Sequence, residues 1–337
     1  MALLKRGGLR LVDSFAFVAS ARQTIQIQVP ARYMQRIWLW LRGTLTISAV
    51  TIPGTVHTDG PANLIGTVEL LVDGRTYKIG AYPAFLRAAQ KYFQTLGQNA
   101  GLTSGAAGVY NFEVLVPLMF ASDGTVSPTD TLVDGRIVKN ITLNLTWNAA
   151  TNLIVGNTST LALTATTCQV YIEDTEPFPV DAPFWVFRET ETTYAGIVTS
   201  AASRLIIPYN PGSIMRFVQL RAVDGSDLSD AIINTFQLRV NGEELPFNSI
   251  EDDFSQAYSM YAYGVDVNPD GYYHIELVEN GRVATTGLGA NQERAINGVD
   301  ILADTTVGVG ATSIVAHIGE HVPPDVAALA AAGVRAA

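Results

Sequence analysis

His317-Ile-Gly-Glu-His321 places two imidazoles and a carboxylate in the H-x-x-E-H order of inverted zinc peptidases. That chemistry needs a helix, which brings residues four apart onto one face so that both imidazoles reach one metal. Here Thr312-Ser-Ile-Val-Ala-His-Ile318 reads as a strand, Pro323-Pro324 follows at once, and 16 residues remain after His321 to supply a third ligand. No zinc catalysis is expected. Asp266-Val-Asn-Pro-Asp-Gly271 matches the opening of a calcium loop, which makes Asp266, Asn268 and Asp270 candidate calcium ligands. The acid that should close the loop falls on Leu277, with Glu276 one place early, and Asn268-Pro-Asp-Gly271 is also a β-turn that needs no ion. Calcium is the only cofactor these motifs suggest, and none is required. Glu251, Asp252 and Asp253 are the carboxylates a carbohydrate-active enzyme would pair, but they open a helix, where the dipole favours acids without any catalysis. His57, His274, His317 and His321 are scattered, Cys168 sits mid-strand, and there is no phosphate loop or dinucleotide fingerprint. The chain is expected not to be an enzyme.

Composition narrows the remaining classes. Charged residues are 15% and apolar residues 48% of the 337, with 29 Gly and 15 Pro, a balance that suits a β protein covering much of its surface with neighbours. The net charge of −10 opposes wrapping of nucleic acid, so no specific nucleic-acid recognition is expected. A single cysteine excludes an intrachain disulfide. The start, Met1 to Arg10, is locally basic through Lys5, Arg6 and Arg10, but no apolar run of signal-peptide length follows it. No stretch of 18 apolar residues offers a membrane span. The sequons at Asn140, Asn144 and Asn157 are read as accidents of a Thr- and Asn-rich composition.

Most of the chain reads as short alternating strands. Gln23-Thr-Ile-Gln-Ile-Gln-Val29 has the period of two, and Ile37, Leu39, Leu41, Leu45 and Ile47 share one face of the next strand. Val68 to Ile79 folds back on itself at Asp73-Gly74, the dipeptide that best tolerates the positive φ of a two-residue hairpin. Pro83 to Leu96 switches to helical spacing, with Leu86, Ala89 and Tyr92 in one stripe. Strands resume at 109–120, 137–147 and 160–173.

The second half repeats this order. Ile65-Gly-Thr-Val-Glu-Leu-Leu-Val-Asp-Gly-Arg75 matches Ile233-Asn-Thr-Phe-Gln-Leu-Arg-Val-Asn-Gly-Glu243 at an offset of 168, hairpin included. The same offset carries the helix onto 250–261, setting Leu86, Ala89 and Tyr92 against Phe254, Ala257 and Met260. Arg36-Ile37 meets Arg216-Phe217 at offset 180, and Tyr110–Val114 meets Tyr273–Leu277 at 163. Val138–Asn144 meets Ile296–Leu302 at 158, and Ala165–Glu173 meets Ala311–Gly319 at 146. The last match sets His317 on Tyr171 and Glu320 on Asp174, so no ligand pattern is shared. Three prolines within 173–183 read as a short, stiff connector. The expected division is an N-terminal arm (1–20), a first barrel (21–176), a linker (177–186), a second barrel (187–322) and a C-terminal tail (323–337).

An all-β chain of two tandem eight-stranded jelly-roll barrels, each with a short inserted helix, is the architecture these repeats describe. It resembles the double jelly-roll major capsid proteins of tailless icosahedral viruses, among them tectivirus-like and corticovirus-like bacteriophages with an internal membrane. The resemblance covers roughly residues 15–322 and rests on the repeat rather than on a residue motif. It implies a trimer whose six barrels form a near-hexagonal tile. The implied partners are neighbouring capsomers, minor capsid or vertex proteins and internal membrane lipid, and the implied location is the virion, after assembly in the host cytoplasm. Under it, Phe184, Trp185 and Phe187 are candidate interface residues, and Trp38 and Trp40 are candidates that equally suit a barrel core. Lys5, Arg6 and Arg10 are candidate contacts with membrane lipid or genome. The alternative reading is a tandem β-sandwich glycan-binding or adhesin module, with Tyr194, Tyr209 and Tyr263 as its loop aromatics.

Overall fold

The computed structural model describes residues 8–48, 53–91, 96, 101–120, 131–156, 160–177, 184–195, 201–225, 227–244, 250–263, 269–278, 288–289, 296–308 and 310–323. The chain forms two compact units, one of Met1–Arg188 with Val322–Ala337 and one of Glu189–His321. Among the described residues, each has eight principal strands.

In the first unit these are β1 (Leu9–Ala16), β2 (Arg22–Ile27), β3 (Tyr33–Ser48), β4 (Ile65–Val72), β5 (Arg75–Gly80), β6 (Gly108–Met119), β7 (Ile141–Trp147) and β8 (Thr160–Thr175). They pair antiparallel into two sheets, β1-β8-β3-β6 and β2-β7-β4-β5. Period-two alternation buries one face of each: Ile37, Leu39 and Leu41 with Val170 and Ile172, and Val68, Leu70 and Val72 with Leu143 and Leu145. Helix α1 (Tyr82–Gln90) follows β5, opened by Pro83, and is buried along almost its whole length. The Tyr82 hydroxyl lies 3.0 Å from the carbonyl oxygens of both Leu39 and Val114, which ties the helix to β3 and β6.

In the second unit the strands are β9 (Val186–Ala195), which enters the unit at Glu189, β10 (Ala201–Ile207), β11 (Ile214–Asp224), β12 (Ile233–Val240), β13 (Glu243–Glu244), β14 (Tyr272–Glu276), β15 (Val299–Thr305) and β16 (Thr312–Val322). They pair as β9-β16-β11-β14 and β10-β15-β12-β13. Each strand number is that of the first unit plus eight, in the same spatial order. The core is again one face per sheet, with Val218, Leu220, Ile314 and Ile318 on one and Phe236, Leu238 and Ile301 on the other. Helix α2 (Asp252–Tyr263) stands in the place of α1.

The repetition reaches individual hydrogen bonds. Asp73 and Gly74 sit at φ 48° and 77°, and Asn241 and Gly242 at 54° and 78°, the left-handed pair of a type I′ hairpin. Asp73 Oδ1 accepts the amides of Lys139 and Asn140, and Asn241 Oδ1 accepts those of Asn297 and Gly298, the residues 158 further on. Asp and Asn are interchangeable here because only the acceptor oxygen is used. One bulge interrupts the β4–β7 ladder between Ile65 and Thr67, and its counterpart interrupts β12–β15 between Ile233 and Thr235.

Strand pairing corrects two of the sequence offsets. Ile37 pairs with Ile172, whereas Val218 pairs with Ile318, so β3 maps onto β11 at 181 rather than 180. A bulged residue stands at Gln35 in one unit and Arg216 in the other, and the Arg36–Arg216 match is a coincidence one residue off. A one-residue slip would turn every side chain to the wrong face. Leu118 pairs with Ile37 and Ile275 with Val218, which places β14 at 157 rather than 163. The N-terminal arm is also corrected: Leu9–Ala16 is a barrel strand, paired from Leu9↔Glu173 to Ala16↔Thr167. A bulge between Leu11 and Asp13 breaks the alternation that would have revealed it and brings Phe15 into the core.

Candidate assembly interface

Among the described residues, those considered for metal chemistry do not converge. His317 and His321 lie on strand β16, where no helical face exists to bring them onto one ion, and Glu320 instead accepts from Asn210 Nδ2 and Ser213 Oγ at 2.9 and 2.8 Å. Asp270 is exposed in a turn closed by the Tyr272 amide donating to Pro269 O at 2.9 Å, while Asp266 and Asn268 lie outside the described residues. No group of three or more metal-binding side chains forms among the described residues. Tyr77, Phe120, Leu132, Trp185 and Phe187 in the first unit line a shallow depression that encloses no space of its own. Drug-sized ligands need roughly 300 Å³ or more.

What the described surface offers is apolar residues around half-buried aromatic rings. On the first unit's sheet β1-β8-β3-β6, the face away from the core carries Leu11, Tyr171 and Trp38 in register across three strands. The next row is Gln169, Trp40 and Leu115. Trp38 Nε1 donates to Glu173 Oε2 at 2.9 Å, the same oxygen that Arg36 Nη1 meets at 2.8 Å, and the Arg42 guanidinium sits 4.6 Å from the centre of the Trp40 ring. These contacts tie each indole to a charged neighbour on the same face. Both indoles are half-buried, so they lie on the outer face rather than in the core.

The corresponding face of the second unit is closed and charged. The Phe217 ring stacks on the imidazole of His317 at a centroid distance of 5.8 Å and meets that of His274 tilted, at 5.2 Å. His317 Nε2 is 3.4 Å from Glu189 Oε1 and its Nδ1 is 3.6 Å from Glu191 Oε1. Burial alone would depress the pKa of His317, but the two glutamates outweigh it and hold the imidazole above the ordinary histidine value. On the unit's other sheet a buried acid, Asp300 of β15, receives Arg204 Nη2 at 2.7 Å and Arg239 Nε at 2.8 Å.

No family model matches the chain, and no curated protein matches it by sequence. Solved structures do. The STIV major capsid protein superimposes with a TM-score of 0.71 at 16% identity, over 96% of this chain and 100% of its own. The capsid protein VP54 of PBCV-1 gives 0.61 at 11%, covering 93% and 92%. The major capsid protein P2 of bacteriophage PM2 gives 0.58 at 12%, covering 94% and 98%. Near-complete coverage in both directions leaves no barrel unmatched. The chain has the double jelly-roll fold.

Within this double jelly-roll the expected interface residues separate. Phe184 is half-buried, packed edge-on against Tyr33 at 5.0 Å, and Trp185 is half-buried beside it. Phe187 is only 2% exposed, with the Lys78 ammonium 4.0 Å from its ring centre, so it is a core residue of the chain and not a contact residue. Arg10 is exposed on β1 and donates to Gln28 O at 3.2 Å, which fixes it to the barrel; Lys5 and Arg6 lie outside the described residues. The helix stripe expected to repeat in α2 faces the other way. Leu86 and Ala89 are buried on α1, whereas Phe254 is 61% exposed and Met260 52% on α2. Nothing in the sequence marks Leu11 and Leu115, because each stands among other apolar residues whose alternation does not tell which face meets solvent.

Proposed function

We propose that this protein is a viral major capsid protein, a non-catalytic coat subunit that associates as pseudo-hexameric trimers and tiles an icosahedral shell. The observation that carries the reading is the duplication: two barrels alike in strand order, bulge and hairpin hydrogen bonds, superimposing over more than nine-tenths of three capsid proteins. A trimer of such chains offers six similar barrels, which three-fold symmetry of a single barrel does not. Permanent interfaces of this kind bury about 2,000–5,000 Å² and favour apolar contacts, and exposed Leu11 and Leu115 in the first unit and Phe254 and Tyr261 in the second are suited to them. Under this reading the protein resides in the virion, and neighbouring capsomers, vertex proteins and an internal membrane are its partners.

The glycan-binding alternative is weaker on the structure. The Tyr194 hydroxyl donates to Ile206 O and the Tyr209 hydroxyl to Ser213 O at 3.1 Å, so both rings are committed to their own backbone rather than to a ligand. The side chain of Tyr263 lies outside the described residues. Sedimentation of the purified full chain tests the proposal. A species of three times the monomer mass that grows into hexagonal arrays is expected, and a protein that stays monomeric at every concentration overturns it.

A further inference from the structure

In a repeated fold, equivalent surfaces have equivalent chemistry to satisfy, and in this chain two pairs of them differ. The outer face of sheet β9-β16-β11-β14 is closed, with Phe217, Gln219 and His317 each no more than 2% exposed. The equivalent face of β1-β8-β3-β6 is open, with Leu11 53% and Leu115 37% exposed on either side of Tyr171, Trp38 and Trp40. The helices show the opposite asymmetry. α1 is buried, while α2 presents Phe254, Tyr258 and Tyr261, the last 88% exposed. Those three are spaced i, i+4, i+7 and so share one side of the helix, and the Phe254 and Tyr258 rings stack at 6.2 Å.

We propose that the open sheet face of the first unit is covered by the open α2 face of a second copy of this chain, head to tail. The inference rests on the coat-protein reading and names the surfaces through which its trimer closes. Three observations select a second copy as the occupant. Each unit has one open surface whose equivalent in the other unit is buried, so the two open surfaces are unlike, as a heterologous contact requires, and such contacts close into rings when the rotation allows. Both faces are centred on Trp, Tyr and Phe, the residue types that dominate interface cores. A two-fold pairing of like faces would leave either the sheets or the helices bare, and large exposed apolar patches are rarely left uncovered.

The test is a mixing experiment on the full chain, read by analytical ultracentrifugation. One variant carries Leu11→Asp with Leu115→Asp, the other Phe254→Asp with Tyr261→Asp. All four positions are exposed in the monomer, so circular dichroism melts should match wild type. Should either double variant melt early, Leu115→Ser and Tyr261→Ser carry the same test alone. Each variant should raise the trimer dissociation constant about 30-fold or more, the effect of losing one interface hot spot. The two mixed in equal amounts should form a dimer and stop there, because each retains the surface the other lacks. Variants that remain trimeric while wild type is trimeric overturn the inference and leave the coat-protein reading intact. Monomeric variants that do not pair on mixing overturn the head-to-tail arrangement. A wild type that never assembles overturns both.

Discussion

Replacing Asp73 and Asn241 by alanine, one at a time, asks whether the two hairpins are the same device. Both residues hold positive φ angles, 48° and 54°, where alanine costs about 1 kcal/mol. Each side chain also accepts two backbone amides, at 2.9 and 2.9 Å in the first unit and 2.7 and 3.2 Å in the second. The bonds are solvent-exposed, so each contributes about 0.5–1 kcal/mol. The loss is therefore about 2–3 kcal/mol per substitution. Hydrogen exchange followed by mass spectrometry reads it locally: the amides of Lys139 and Asn140, or of Asn297 and Gly298, should exchange roughly 30- to 150-fold faster. Asp73→Asn keeps the acceptor oxygen and tolerates the backbone, so it should change exchange less than about threefold. The reasoning is refuted if the two alanine variants differ by more than about tenfold, or if Asp73→Asn behaves like Asp73→Ala.

His317 gives a pH dependence with a definite sign. Its folded-state pKa is raised, so its stabilisation is complete below the unfolded value of about 6.5 and is lost as pH climbs through the folded value. Wild type should lose more thermal stability than His317→Gln between about pH 6 and about pH 9, and parallel profiles would count against the Glu189–His317–Glu191 arrangement. Cys168 is fully buried and its thiol is pushed up by that burial, so a thiol reagent should find nothing in the native protein and one equivalent after unfolding. Leu143→Ala, at a core position with 0% exposure, should cost about 2–5 kcal/mol in denaturant unfolding. Gly319→Ala should also destabilise, because its Cβ would clash with the Phe217 ring and push it off its contacts with the two histidines.

How far the fold was readable depended on where the chain uses local chemistry. Asp73-Gly74 and Asn241-Gly242 announced themselves because a two-residue turn tolerates few other residues, and the offset of 168 they anchor holds in the ladders. The offset of 158 had little sequence support, yet it holds residue for residue from Ile141↔Val72 to Val299↔Val240. Bulges defeated the reading elsewhere. The chance match of Arg36 with Arg216 set β3 one residue off, since the bulge at Arg216 corresponds to Gln35, and the bulge after Leu11 hid β1 in what read as an arm. For the candidate interface the obstacle was different. Phe254 on α2 and Leu86 on α1 share a position and a chemistry, and only the surroundings decide which is buried. Phe187 misled for the same reason, since an aromatic beside a proline-rich connector can serve a core or a contact equally well.

Electron cryo-microscopy of the purified full-length protein addresses the central claim most directly. Class averages should show particles of three-fold symmetry with six barrel-sized lobes, in which both halves of every chain fit one eight-stranded density. Particles of a single chain at all concentrations, or a second half whose density will not accept the first half's strand order, would contradict it.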